Sequence, residues 1–183
     1  MCAAVQGLQS AGILATIKHW PGHGSTSTDS HAALAVIGET AEQWQHVDRP
    51  PFAAAAPIVD SVMVGHLALP ALDPSRLPAT LSPILVGDQL RRGLGYQGLV
   101  LTDSLWMQPM QAAGTPAAVA LLALRAGDDM LLMPPDLPYA WAGILAAVRS
   151  QPDVRRMVQS ALGRILAAKA KIGATPAAGP TCR

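Results

Sequence analysis

The chain has 183 residues, of which half are hydrophobic and 14% charged, with 13 lysines and arginines against 12 aspartates and glutamates. That length suits one sizeable core and is short for two typical domains, and a charge of +1 with no block of like charge excludes a dedicated nucleic-acid binder. The longest apolar stretches, such as 117–124 before Arg125, fall far below the roughly 20 residues that cross a bilayer, so no membrane span is expected.

In chain order, the opening MCAAVQGLQSAG lacks both a basic start and an unbroken apolar core, so no signal peptide is read there. Residues 13–18 (ILATIK) form an apolar, unalternating run of the kind that becomes a strand buried on both faces of a parallel sheet. Three more such runs follow at 61–67 (SVMVGHL), 98–103 (GLVLTD) and 129–133 (DMLLM). Ser82-Pro83 opens a helix that runs to Gly93 or Gly95, Thr115-Pro116 opens one that ends at Gly127, and 152–172 forms a third bearing arginine and lysine. The strand starts are 48, 37 and 31 residues apart, which suits successive βα units with long loops after the first two strands. The predicted class is α/β with a parallel sheet over 1–173, and the closing ATPAAGPTCR, 174–183, is expected to be disordered. Cys2 and Cys182 stand at the extreme ends, where neither a metal-ligand spacing nor a disulfide framework can be built, so the redox compartment stays open.

The polar residues that are costly to place all end these runs. Lys18, His19, His66 and Asp103 each follow apolar residues, and the loop after the first strand adds His23, Asp29 and His31. In parallel α/β proteins that edge is where ligands bind. Any one of these residues could merely cap a strand, but four on one rim point to a site. In the loop from Lys18 through Trp20-Pro21-Gly22-His23-Gly24 to Asp29-Ser30-His31, glycines allow close approach to a ligand, and Asp29 and His31 are spaced for a turn to pair them. A carboxylate on one imidazole nitrogen fixes the tautomer and leaves the other nitrogen as a general acid or base. His19, His23, Asp29 and His31 can also be read as metal ligands. The Pro21-Gly22 break, however, removes the helical face on which His19 and His23 would converge, so neither metal nor cofactor is expected. Asp103, ending a buried strand, suits a rigidly held nucleophile for an acetal carbon, or else an N-cap for the loop that follows.

The motifs KHWPGHGSTSTDSH, SVMVGHLALPALDP, LSPILVGDQLRRGLGYQGLVLTDSLWM and ALRAGDDMLLMP, in this order, resemble the N-terminal barrel domain of glycoside hydrolase family 3. The similarity runs from about Val5 to Ile172. The loop from PGHG to DSH resembles the β-N-acetylhexosaminidase branch, which releases N-acetylglucosamine from peptidoglycan fragments; the β-glucosidase branch shares the lysine-histidine start and the aspartate segment but not this loop. The resemblance implies a (β/α)8 TIM barrel, a carbohydrate substrate and retaining hydrolysis. Within it Asp103 is the nucleophile, His31 the proton donor and acceptor, and Asp29 its partner. Lys18 and His19 hold sugar hydroxyls, and His66 lines the pocket. Asp129 in the AGxD segment and Asp48 in VDRPPF match structural positions. Trp20 stands where phenylalanine is usual, and Trp106 and Met107 form either an apolar wall against a sugar or part of the core.

A complete barrel of this kind needs roughly 250 residues, and in the family the KH(F/W)PGHG segment ends the fifth strand. The chain then corresponds to strands five to eight, with residues 1–12 as the end of the fourth helix. It is expected to be a truncated or incomplete catalytic domain, inactive by itself; because its first strand would be an open edge, pairing with a missing N-terminal half or with a second copy is an alternative. A leader could belong to that missing half. The alternatives are a non-catalytic sugar- or muropeptide-binding fragment and a β-glucosidase-type family member.

Overall fold

A computed structural model describes residues 1–174. In chain order the elements are α1 (Cys2–Ser10), β1 (Thr16–Trp20), β2 (Ala35–Val36), α2 (Ala41–His46), α3 (Arg49–Ala55), β3 (Ser61–Val64) and β4 (Leu67–Ala68). A short turn of helix at Ala79–Leu81 and a longer helix at Pro83–Arg92 precede β5 (Leu99–Thr102), and α4 (Gln108–Ala113), α5 (Pro116–Ala126), α6 (Leu137–Ser150) and α7 (Pro152–Lys171) complete the chain. The tail expected to be disordered lies, apart from Ala174, outside the described residues, and Cys182 lies there too.

β1, β3 and β5 form one parallel sheet in that order. Its outward-facing residues are apolar, so Ile17, Val62, Val64 and Val100 pack with Leu85, Val86 and Leu90 of the Pro83–Arg92 helix in a single core. Three of the four expected strands are present, with differences at their ends, and the fourth is not formed as a strand. The first begins at Thr16 rather than residue 13, because its partner β3 begins at Ser61 and leaves Ile13 half exposed. The second breaks after Val64: Gly65 donates its N–H to Trp20 O at 2.9 Å, and Leu67–Ala68 turns away to pair with β2 in a separate two-stranded parallel sheet. The fourth run lies beside β5 but is reduced to a single bridge, Leu101 to Met130, since Pro134 and Pro135 follow and can donate to no ladder.

The expected helix starts hold. Ser82 Oγ accepts from Leu85 N at 3.0 Å and Thr115 Oγ1 from Ala118 N at 3.3 Å. Such caps contribute about 1 kcal/mol each. Two helices absent from the expectation carry equally clear signals: Thr40 and Gln43 make a reciprocal capping box at α2, and Asp136 Oδ1 accepts from Tyr139 N at 2.9 Å at the start of α6.

α7 runs beneath the N-terminal ends of the sheet. Arg164 Nη1 reaches Asp129 Oδ1 at 2.9 Å, and Lys171 Nζ reaches Asp60 Oδ1 at 2.8 Å. Asp60 and Asp129 precede segments two strand spacings apart, about 10 Å, and residues 164 and 171 are two helical turns apart, also about 10 Å. Two unrelated periods therefore match, and the helix ties the floor of the sheet together.

Candidate active site

The loop between β1 and β2 carries most of the site, and it is anchored from below. Trp20 is fully buried, donates Nε1–H to Leu85 O at 2.9 Å and stacks edge-on against Trp44 and Phe52, with ring centroids 5.6 and 5.1 Å away. This aromatic trio belongs to the core and takes no part in chemistry. Gly22 has φ 137°, and a Cβ there would lie 2.7 Å from Asp48 Cβ, so only glycine fits. Asp48 starts α3 but makes no side-chain cap; it lies under this turn near Glu39, which accepts from Ser25. Burial and then the neighbouring Glu39 push the Asp48 carboxyl up to about 6. The sequence offered no signal for this carboxylic pair, whose members are nine residues apart in a loop.

On that anchored base stand the polar groups. Between the pairs Ile17–Val62 and Trp20–Val64, β1 spends one residue more than β3, so Lys18 and His19 sit in a bulge that re-aims their side chains at the rim. Lys18 is exposed. His19 Nε2 lies 3.5 Å from Asp103 Oδ2. Burial outweighs the attraction of Asp103 and lowers the His19 pKa, with Lys18, His23 and His31 adding to the lowering, so this is a neutral imidazole beside a carboxylate. His23 Nε2 meets Ser30 Oγ at 2.8 Å and steadies the loop.

Asp29 Oδ1 accepts both the backbone N–H of His31, at 2.9 Å, and its Nδ1–H, at 2.8 Å. The first of these bonds, with the second, holds the Asp29 carboxyl below the usual carboxylate range. Since a carboxylate only accepts, His31 carries its proton on Nδ1 and presents Nε2 outward; the ring is 78% exposed.

Asp103 follows β5 directly. Its N–H donates to Val64 O at 2.8 Å, and its Oδ1 accepts from Ser104 N at 2.7 Å, which leaves Oδ2 facing the rim with 18% of the side chain exposed. Of the expected apolar wall, Met107 is buried and Trp106 is 57% exposed, so of the two only the tryptophan faces solvent, near the loop after Asp103. Asp129 takes Arg91 at 2.6 Å, Arg164 and Val100 N, as suits a structural position.

His66 requires a correction. Expected to line the pocket, it is completely buried and both ring nitrogens are engaged, Nδ1 with Thr80 Oγ1 at 2.8 Å and Nε2 with Ser104 O at 2.9 Å. The strand ends at Val64, so the chain has already turned inward at Gly65 and takes His66 beneath the rim. The sequence does not mark Thr80 or Ser104: Thr80 lies outside the motifs, Ser104 stands inside one without a role of its own, and each matters through a contact distant in sequence. Among the described residues, no three of His, Cys, Asp and Glu form a group that could hold a metal ion.

A parallel α/β protein with an uncapped carboxylate, a carboxylate-bound imidazole and a lysine gathered at the C-terminal ends of its strands has the layout of a barrel-type catalytic rim. The chain belongs to glycosyl hydrolase family 3: the family's N-terminal domain matches residues 2–168. Beta-hexosaminidase A of Pseudoalteromonas piscicida is 33% identical over 86% of this chain and 26% of its own length. A protein of Cellulomonas fimi named beta-N-acetylglucosaminidase/beta-glucosidase is 32% identical over 92% of the chain and 32% of its own length. The solved family 3 beta-N-acetylglucosaminidase of Paenibacillus sp. FPU-7 superposes with a TM-score of 0.89 at 36% identity, covering 98% of this chain and 36% of that one. The chain thus spans between about a quarter and about a third of the length of these relatives. No helix among the described residues is long and apolar enough to cross a membrane.

Proposed function

We propose that this chain carries the nucleophile and the acid/base residue of a retaining glycoside hydrolase that removes terminal β-linked N-acetylhexosamine, chiefly N-acetylglucosamine, from cell-wall-type glycans. The single observation that carries the reading is the carboxylate of Asp103, held by Ser104 N–H through one oxygen and open at the other, on the same rim as the Asp29–His31 pair. In the first step Oδ2 of Asp103 bonds to the anomeric carbon while doubly protonated His31 gives its Nε2 proton to the departing glycosidic oxygen. In the second, His31 Nε2 takes a proton from water, and the hydroxide formed displaces Asp103. Asp29 stabilises the imidazolium while it exists, and Lys18 and His19 bind sugar hydroxyls.

The four strand segments correspond in this reading to strands five to eight of a (β/α)8 barrel formed by residues 1–173, the other strands coming from outside these residues, in further sequence or an associated chain. The exposed inner side chains Thr16 and Lys18 on β1 and Met130 after β5 support this, for in a closed barrel they would face its interior. The double name of the Cellulomonas fimi relative favours a second reading, a β-glucosidase-type member. The test is hydrolysis of nitrophenyl N-acetyl-β-glucosaminide and nitrophenyl β-glucoside by the purified chain, with Asp103→Asn alongside. Turnover of the first substrate once the other strands are supplied, lost in the variant, is expected; turnover of the glucoside alone would install the second reading, and activity that survives in the variant would overturn both.

A further inference from the structure

His66 lies one residue beyond the close approach of Gly65 to His19 and is sealed from solvent, yet it is polar and fully bonded. A buried imidazole with two good partners defines its own protonation state. The carbonyl of Ser104 can only accept, so Nε2 carries the hydrogen. Burial, only partly opposed by the Ser104 carbonyl and Asp103 and reinforced by His31, holds the ring below the ordinary histidine range, so Nδ1 is bare near neutral pH. Thr80 has one hydroxyl proton and three acceptors in reach: His66 Nδ1 at 2.8 Å, Gly65 O at 3.1 Å and Val64 O at 3.3 Å. The imidazole lone pair is the nearest, and Val64 O is already occupied by the N–H of Asp103 at 2.8 Å.

One connected network therefore reaches the nucleophile. Its main-chain nitrogen is held by Val64, its Oδ1 by the N–H of Ser104, and the carbonyl of that same Ser104 by His66; Leu105 N is then held by Leu132 O at 2.9 Å. The Ser104 carbonyl accepts a second, longer bond from Met107 N at 3.1 Å; without His66 that peptide keeps only this bond and the one from Leu105 to Leu132, and its orientation, with the neighbouring N–H that aligns Oδ1, is less closely fixed. We propose that His66, oriented by Thr80, is a positioning residue: its Nε2–H fixes the Ser104 peptide so that the carboxylate of Asp103 presents Oδ2 to the anomeric carbon in one orientation. The proposal rests on the reading of Asp103 as the nucleophile. It assigns His66 no contact with sugar, in keeping with its complete burial.

The test uses the geometry of amide isosteres. The side-chain nitrogen of Gln overlays Nε2 of histidine and can still donate to Ser104, whereas that of Asn overlays Nδ1 and cannot reach it. A misplacement on the order of 1 Å costs roughly 100-fold in rate. His66→Asn in the full chain should therefore lower kcat on an activated aryl N-acetyl-β-glucosaminide by about 100-fold with KM within about twofold, and His66→Gln should recover most of that loss. A side chain that merely fills space would lower the melting temperature in both variants and leave the kcat of the folded fraction alike. Two-bond 1H–15N spectra of the wild-type ring should display the neutral Nε2–H tautomer, and amide exchange at Ser104 should quicken in the Asn variant and not in the Gln variant. Equal kcat losses, a loss confined to KM, the opposite tautomer, or equal exchange would each overturn the proposal. If the protein with its barrel complete turns over no glycoside, the hydrolase reading fails by itself, while the tautomer and Ser104 exchange still decide what His66 does.

Discussion

The two ends of the parallel sheet use the same residue type in opposite ways. At the floor, Asp60 accepts from Ala15 N at 2.9 Å, Gln9 at 2.8 Å and Lys171 at 2.8 Å, and Asp129 is as fully bonded to Val100 N, Arg91 and Arg164. At the rim, Asp103 has one bond from its neighbour's N–H and an oxygen left over. Aspartate at the N-terminal ends of strands is spent on joining elements far apart in sequence, and at the C-terminal end it is held through one oxygen and keeps the other open to the rim. The loops follow the same division: the floor is bound by α7, whereas the Asp29–His31 pair stands in solvent, where a loop can move onto a substrate.

This contrast can be broken at either end. The largest effect belongs to the rim: Asp103→Asn should lower hydrolysis of nitrophenyl N-acetyl-β-glucosaminide by at least about 1,000-fold, because the amide forms no glycosyl-enzyme, while the thermal midpoint stays close to that of the parent. At the floor, Asp129→Ala leaves the largely buried guanidinium of Arg91 without its carboxylate and should cost about 3–5 kcal/mol in urea unfolding. His31→Ala should lose on the order of 100-fold on substrates with poor leaving groups and much less on activated aryl glycosides, which need little protonation. Equal loss on both would make His31 a binding residue.

Smaller changes sharpen the comparison. Asp128, next to Asp129, is the floor's exception: it is fully buried, neither carboxyl oxygen has a partner, and burial, with the charge of Asp129, raises its pKa well above the usual range. A carboxyl whose folded pKa is raised stabilises the fold at low pH and loses that contribution as pH climbs from the unfolded value, near 4, towards the folded one. Asp128→Ala should therefore gain about 1 kcal/mol over the parent at neutral pH, and the gain should shrink on acidification. Asp60 has the opposite sign. Burial raises it, but the bonds from Lys171, Ala15 and Gln9 outweigh that and leave its pKa lowered, so its contribution is present at neutral pH and is lost as pH falls through the carboxylate range. Lys171→Met, at a largely exposed ammonium, should cost only a few tenths of a kcal/mol and flatten that acid limb slightly.

Much of this was legible in the residues themselves. ILATIK, SVMV and GLVLTD announce strands because parallel sheets bury both faces, and Ser82-Pro83 and Thr115-Pro116 announce helices because a hydroxyl beside a fixed φ is a local solution to unsatisfied amides. Asp29 and His31 were legible as a pair because two residues of separation close a turn. The role of His66 was not, since ending an apolar run looks the same in sequence whether the side chain faces solvent or the core. Nor was the Glu39–Asp48 pair, nor the match between α7 and the floor carboxylates, because each depends on residues that only the packed chain brings together.

The sequence by itself therefore determined the class of fold, its family and the rim on which the candidate residues stand, since these follow from local periodicity and from motifs read in order. Only the tertiary structure decided which of those residues face the rim and which lie beneath it, since burial and hydrogen-bond partners are set by contacts between segments distant in sequence. The bulge at Lys18 and His19, the turn at Gly65 and the crossing of α7 are such decisions. Each depends on matched geometry between strands or helices, and no single segment carries it.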